Sequence, residues 1–174
     1  MLVTLGLTVF VDLITAVALG IILASFVTSR WLAQEQMKGV RQTANADEDE
    51  HLTAEERAVL RGAEGRVLVT MLHGSFSYAS ARELARRAAP AISGIRIAVY
   101  DFAHAGYVDT SAALAIEETI RQAQAHGMRV LLSGLHGEAK QALSALGVLA
   151  HVPPGDVFAE RRDAIAAAAA YARA

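Results

Sequence analysis

Hydrophobic and polar positions divide the chain into three parts, of which the first is almost wholly apolar. Between residues 2 and 27 the one ionisable side chain is Asp12. A helix of that length would reach roughly 39 Å, which exceeds the ~30 Å hydrocarbon core of a bilayer. A signal peptide would have a basic start and a shorter apolar run. The pattern therefore predicts a transmembrane helix over residues 1–28.

The flanks of this segment predict its orientation. Arg30, Lys38 and Arg41 follow the span, whereas no Lys or Arg precedes it. The positive-inside rule then predicts that the rest of the chain lies in the cytoplasm. We expect the membrane to be the inner (plasma) membrane.

Asp12 suggests that the predicted span packs against other helices in the membrane. A carboxylate inside the hydrocarbon costs a few kcal/mol and usually faces protein or water. We interpret Asp12 as an intramembrane polar residue that packs against other transmembrane helices. The alternative is that it is tolerated near one end of the span.

The second part, residues 29–65, is polar and contains an acidic run at 47–50. We interpret it as a solvated cytosolic linker. Near its end, Thr53 and Glu56 have the spacing of a capping box, which predicts a short helix through Leu60.

In the third part, residues 66–174, short β-rich apolar runs alternate with helical patterns. This alternation predicts a small, mostly parallel β-sheet flanked by helices, which is an α/β domain. A turn or short edge segment is predicted at 73–78, a loop at 101–108 and a possible edge strand at Val152. Strands are predicted at 66–72, 95–100 and 128–133, and helices at 80–89, 110–126, 138–146 and 157–172.

Composition narrows the function classes. The chain has 174 residues, a net charge of −2 and no cysteine, so it offers neither a basic surface excess for nucleic acid nor any thiolate chemistry. The six histidines lack metal-ligand spacing, and His104 is expected to be exposed in its loop. Glycine-rich phosphate-binding motifs and a nucleophile elbow are absent from the sequence. We therefore expect no enzyme activity, no catalytic residue, no metal and no cofactor.

Three stretches of the sequence resemble one known family. Residues 73–81 (HGSFSYASA), 98–117 (AVYDFAHAGYVDTSAALAIE) and 9–20 (VFVDLITAVALG) resemble, in this order, the start of a STAS domain, its central strand and second helix, and the last membrane helix of SulP-type anion transporters. The resemblance implies a STAS-like fold and the C-terminal part of a sulfate or related anion transporter. Such transporters carry a large membrane domain that is missing here, so we expect no transport by this chain alone. A fragment, a split subunit and a free-standing protein all remain open.

The resemblance also points to a candidate regulatory site at the predicted start of helix 110–126. In the related anti-sigma-factor antagonists, the serine that corresponds to Ser111 is phosphorylated. A phosphate is favoured at a helix N-terminus, where backbone N–H groups are unpaired. Thr110 is a less favoured acceptor, and Asp109 is expected to shape the loop. The alternative is that these residues serve only to cap the helix.

Two functions follow as hypotheses. The first is a membrane-anchored regulatory and protein-interaction domain of a SulP-type transporter, with a transmembrane transport domain or other membrane helices and a cytosolic protein as partners. The second is a membrane-tethered signalling module that resembles anti-sigma-factor antagonists and is switched by phosphorylation at Ser111.

Overall fold

The computed structural model describes residues 9, 13–15, 17–29, 40–44, 50–76, 82, 84–86 and 94–173. The chain forms two units, Met1–Glu35 and Gln36–Ala174. In the first unit every described residue is helical, and its large apolar side chains are exposed. Among the residues described, no helix is both long and apolar enough to cross a membrane. The predicted span thus stays a prediction, and Asp12 lies outside the described residues.

The second unit is built on a five-stranded sheet. The strand order β1-β2-β3-β4-β5 follows the chain; β1 pairs antiparallel with β2 and the other neighbours pair parallel. The predicted mostly parallel sheet is therefore confirmed. The strands are β1 (Val40–Thr43), β2 (Val67–Phe76), β3 (Ile97–Val108), β4 (Arg129–Ser133) and β5 (Val157–Phe158).

Helices cover both faces of this sheet. Residues 82 and 84–86 are also helical, and two 3₁₀ turns, Val148–His151 and Pro154–Asp156, follow α3. The four longer helices are α1 (Ala54–Arg61), α2 (Thr110–Ala125), α3 (Gly137–Ala145) and α4 (Arg161–Arg173).

Alternation along β3 shows how the two faces divide the core. Ala98, Tyr100 and Phe102 pack on one face with α2 and α3, whereas Ile97 and Val99 pack on the other face with α1 and α4. Successive strand side chains point to opposite faces, so an uninterrupted apolar run supplies both layers. The buried face of α4 is mostly alanine, which suits close packing of the helix on the sheet.

The predicted linker differs from the structure, because two of its segments belong to the folded unit. β1 pairs with β2, and Val40 is buried in the core at 2% exposure. Helix α1 begins with the predicted capping box: Thr53 Oγ1 accepts from Glu56 N, and Glu56 accepts from Thr53 N. Leu52, also 2% exposed, packs in the core on the sheet face that α1 and α4 cover. Scattered apolar residues in a polar stretch were enough to anchor it.

The prediction of a loop at 101–108 is wrong. Of the turn or short edge segment predicted at 73–78, residues 73–76 are strand, and residues 77 and 78 lie outside the described residues. Both strand stretches are the paired ends of β2 and β3, with His73 opposite His104 and Phe76 opposite Val108. Two register shifts insert extra residues into β3, so the polar and small residues there are bulged strand rather than loop.

The end of the chain also differs from the prediction. Val152 ends a 3₁₀ turn, and the edge strand is instead Val157–Phe158, which pairs with Leu132 and Ser133. The last helix consequently begins at Arg161 rather than at residue 157.

Candidate functional site

The cap of α2 is made by Asp109. Its carboxylate Oδ1 accepts a hydrogen bond from Ala112 N at 2.7 Å, and its backbone is extended, as an N-cap requires. The backbone N–H of Asp109 donates to Phe76 O, which ties the cap to the end of β2. Asp109 therefore caps α2. Any functional role of Asp109 stays a prediction.

Thr110 and Ser111 occupy the first two positions of α2, and both side chains are exposed. Since Asp109 supplies the cap, neither hydroxyl is required for it. No acidic residue lies within the first turn of the helix. The Ser111 hydroxyl is therefore accessible at a helix N-terminus, with Asp109 as the neighbouring negative charge.

Two large apolar side chains flank this position along the chain. Tyr107, near the end of β3, is 56% exposed, and Leu114, one turn after Ser111 on α2, is 50% exposed. Further along α2, Glu117 accepts from His151 Nε2 at 2.9 Å when that nitrogen carries a proton. The start of α2 thus presents hydroxyl, aromatic and aliphatic groups to solvent.

A buried charge network, which the sequence analysis missed, lies on the α1 and α4 side. Arg161 donates from Nε to Glu56 Oε1 at 2.8 Å, and its Nη1 lies 3.5 Å from Asp101 Oδ2. Ser133 Oγ donates to the other oxygen of Asp101 at 2.8 Å. Glu56 and Asp101 are 4% and 1% exposed at the side chain. An acidic residue within the apolar run of β3 was the signal that could have revealed it.

This network binds α1 and α4 to the sheet. Burial by itself would raise the pKa of Glu56, but the Arg161 guanidinium and the Thr53 N–H lower it below its ordinary value of 4.5. An open cavity of about 570 Å³ lies beside the pair, between the starts of the two helices. Its charged lining residues include Glu56 and Arg161 themselves, so we assign these groups to structure.

Three histidines that are far apart in the sequence meet at one end of the sheet. The rings of His73 on β2 and His104 on β3 stack, with centroids 5.2 Å apart and planes 14° apart. His51 lies edge-on to His73 at 6.4 Å, and Arg41 Nη1 is 3.4 Å from His51 Nδ1. Sequence spacing could not reveal this cluster, because a bulge in β3 sets His104 opposite His73.

Burial lowers the pKa of His73 below its ordinary value of 6.5. The charge of protonated His104, the guanidinium of Arg41 and the charge of protonated His51 lower it further. His104 is exposed, as predicted, although it lies in a strand. Within the described ranges, no group of three or more His, Asp or Glu side chains is placed to hold a metal ion.

The sequence and the fold identify the family. The profile of the STAS domain matches residues 60–164, which is more than half of the chain. This chain belongs to the STAS domain family. The STAS fold predicted from the sequence is thereby confirmed.

One relative extends the similarity outside the STAS domain. The bicarbonate transporter BicA of Synechocystis sp. is 33% identical over 159 residues, which are 91% of this chain and 28% of that protein. The chain therefore spans less than a third of the length of this relative.

Two solved structures share the fold. The STAS domain of a SulP transporter from Vibrio cholerae has a TM-score of 0.54 and 23% identity, and covers 62% of this chain and 82% of its own. A sulfate transporter family protein from Wolinella succinogenes has a TM-score of 0.53 and 17% identity. The superposition covers 76% of this chain and 99% of the Wolinella protein. At these identities the likeness concerns the fold alone.

Proposed function

We propose that this chain is the STAS-containing part of a SulP-type anion transporter and serves as its regulatory and protein-interaction domain. The observation that carries the proposal is the extent of the similarity to BicA. That similarity covers 159 residues of the chain, whereas the STAS match ends at 164 and begins at 60. Only ten residues follow 164, so much of the remainder precedes the domain. A free-standing STAS protein would share nothing with a transporter there.

The segment ahead of the domain takes the role of a membrane helix in this proposal. Its described residues are helical with exposed apolar side chains, which suits lipid or neighbouring helices. The function assigned to Asp12 is a polar interaction with other membrane helices, and the basic residues after the span keep the STAS domain in the cytoplasm beneath the inner membrane. One such helix cannot form an anion pathway at an interface between repeats, so the chain alone does not transport.

The choice of a candidate anion rests on BicA. Because that relative is named a bicarbonate transporter, bicarbonate is the first substrate to test for the transporter to which this chain belongs. The STAS domain itself tunes transport or assembly by binding other proteins and performs no catalysis.

An immunoblot of native membranes with an antibody against the STAS domain tests the proposal. A band far above 18.4 kDa, or co-purification of this chain with a polypeptide of many membrane helices, is the expected result. A band at 18.4 kDa in the soluble fraction, without such a partner, would overturn it.

Substitution of Asp12 tests the membrane helix separately. In the native transporter, we expect Asp12→Ala to reduce assembly on a native gel and bicarbonate uptake several-fold, because a polar contact between helices is lost. Leu13→Ala is the matched control and should leave both near wild type. Wild-type assembly and uptake of Asp12→Ala would remove the role assigned to this carboxylate.

A second candidate function has its own observation, namely the exposed Ser111 hydroxyl at a helix start that Asp109 already caps. Here Ser111 is the phosphorylation site of a membrane-tethered signalling module, and the added charge repels its cytosolic partner. Phosphopeptide mass spectrometry of the native protein should then find phosphate on Ser111. Ser111→Asp should abolish binding of that partner while Ser111→Ala retains it; an unphosphorylated Ser111 in all growth conditions argues against the switch.

A further inference from the structure

The histidine cluster lies where β1, β2 and β3 are neighbours in the sheet, and it adds a residue from the loop before α1. It brings His51 from the loop before α1, His73 from β2 and His104 from β3 against Arg41 of β1. All four side chains are basic. Neutral imidazoles can stack in this way, whereas protonated imidazoles beside a guanidinium repel one another.

β1 is the element that depends most on this arrangement. It has four residues and one neighbour, β2, with which it pairs from Val40 opposite Leu72 to Thr43 opposite Val69. His73 follows Leu72, which is the β2 residue opposite Val40 at the start of β1. An edge strand of this length contributes few backbone hydrogen bonds, so a change in side-chain repulsion at its end can decide whether it stays in the sheet.

We propose that the histidine cluster is a proton-sensitive latch: at neutral pH it holds β1 on the sheet, and protonation in mildly acidic conditions releases β1. The inference concerns this chain by itself and does not rest on the proposed transporter function.

The charged groups around His73 support the direction of this effect. Arg41 faces it from β1, His51 from the loop and His104 from β3. On the α4 side, Arg161 donates to the carbonyl of His51. These neighbours are cations or become cations when protonated.

The acidic groups near the cluster do not reverse that balance. Glu56 and Asp101 are bound by Arg161. Of the acidic run at 47–50, Glu50 is exposed, and 47–49 lie outside the described residues. Among described residues, no carboxylate contributes to the pKa of His73.

The sign of the linkage follows from this environment. With β1 in place, the pKa of His73 lies below 6.5, because burial and the neighbouring cations oppose its charge. When β1 leaves, the ring loses the neighbouring charge of Arg41, so its pKa rises towards its ordinary value and it binds a proton more readily. Closure is therefore complete above pH 6.5 and weakens as pH falls below it. The upper limit of this effect is about tenfold at one pH unit below the free pKa, which is reached when the histidine stays neutral in the closed state and is unperturbed in the open state.

Hydrogen exchange of the full chain, followed by mass spectrometry between pH about 7.5 and about 5.5, tests the latch. After correction for the intrinsic pH dependence of exchange, we expect protection of the β1 amides to fall, by at most about tenfold. The amides of β4 serve as an internal reference and should stay protected. Unchanged protection of β1 across this range would overturn the proposal, as would an equal loss in β1 and β4.

Two histidine variants separate the cluster from histidine titration in general. His73→Gln removes the titrating ring and keeps a polar side chain, so its β1 protection should not depend on pH. His126→Gln is the matched control, because His126 lies at the end of α2 and contacts Gln122 O instead; it should show the wild-type fall. An equal fall in His73→Gln and wild type would refute the role of His73.

A measurement on the unaltered chain covers the case in which His73→Gln fails to fold. An NMR titration of the histidine ring signals should give a pKa for His73 below 6.5. A value at or above that of a free histidine would show that the cluster does not oppose its protonation, and the latch would be excluded.

Discussion

At the scale of single residues, the start of α2 has two predicted roles, helix capping and phosphorylation. The sequence did not decide which of Asp109, Thr110 and Ser111 serves which role. The 2.7 Å contact from Ala112 N to Asp109 Oδ1 assigns the cap to Asp109. Ser111 is exposed one position into the helix, so its hydroxyl is available for other chemistry.

This assignment predicts different costs for substitutions at neighbouring positions. Asp109→Ala should lower the free energy of unfolding by about 1 kcal/mol, because the cap to Ala112 N is lost. Asp109→Asn should recover most of it, since asparagine caps equally well. Ser111→Ala should stay within about 0.5 kcal/mol of wild type. Urea unfolding followed by circular dichroism measures all three, and an equal loss for Ser111→Ala would contradict the assignment.

At the scale of elements, Arg161 connects more of the fold than its position at the start of a helix suggests. Its guanidinium reaches Glu56 at the start of α1, Asp101 on β3 and the carbonyl of His51. The helices α1 and α4 are thereby held together on one face of the sheet. Because both carboxylates are almost fully buried, removal of the Arg161 cation leaves them with hydrogen bonds but without that compensating positive charge.

We therefore expect Arg161→Met to lower the free energy of unfolding by about 3–5 kcal/mol, as for other buried ion pairs that lose one partner. Arg161→Lys should fall between, because lysine keeps the charge and loses the two-pronged contact with Glu56. Arg162→Met is the matched control: its side chain is 66% exposed, and the change should be about 0.5 kcal/mol or less. Chemical denaturation at neutral pH compares them, and similar losses for Arg161→Met and Arg162→Met would show that the network contributes little.

At the scale of the whole molecule, the fold is a STAS domain extended at its start by β1 and α1. Both elements precede or only overlap the start of the family match at residue 60, yet both pack on the core. The segment that leads from the N-terminal helix into the domain is therefore folded at Val40–Thr43 and at Ala54–Arg61.

Acid stability of the whole domain should report the Glu56 contact. The pKa of Glu56 is lowered below 4.5 in the folded state, so the unfolded state binds more protons between the two values. The stabilisation is fully present above pH 4.5 and is lost as pH falls through the folded value. Thermal unfolding from neutral to acidic pH should show this loss in wild type and a smaller one in Glu56→Gln. If the melting temperature falls equally with acidification in wild type and Glu56→Gln, the expected contribution of the Glu56 carboxylate is contradicted.

The sequence by itself determined the features that depend on local periodicity and on residue type. The apolar run of β3 and the amphipathic pattern of α2 were sufficient for their elements. The spacing of Thr53 and Glu56 was sufficient for the start of α1, and the alternation of strands and helices for the α/β class. The resemblance of residues 73–81 and 98–117 was sufficient for the STAS family. Each of these rests on residues close together in the chain.

Only the tertiary structure decided which distant residues meet. A bulge of one residue in β3 sets His104 rather than Ala103 opposite His73, and no local pattern encodes that register. Arg161 and Glu56, which are 105 positions apart, meet because α4 and α1 pack on the same face of the sheet. β1 was hidden in a polar stretch because a four-residue strand gains its order from pairing with β2 and not from its own propensity.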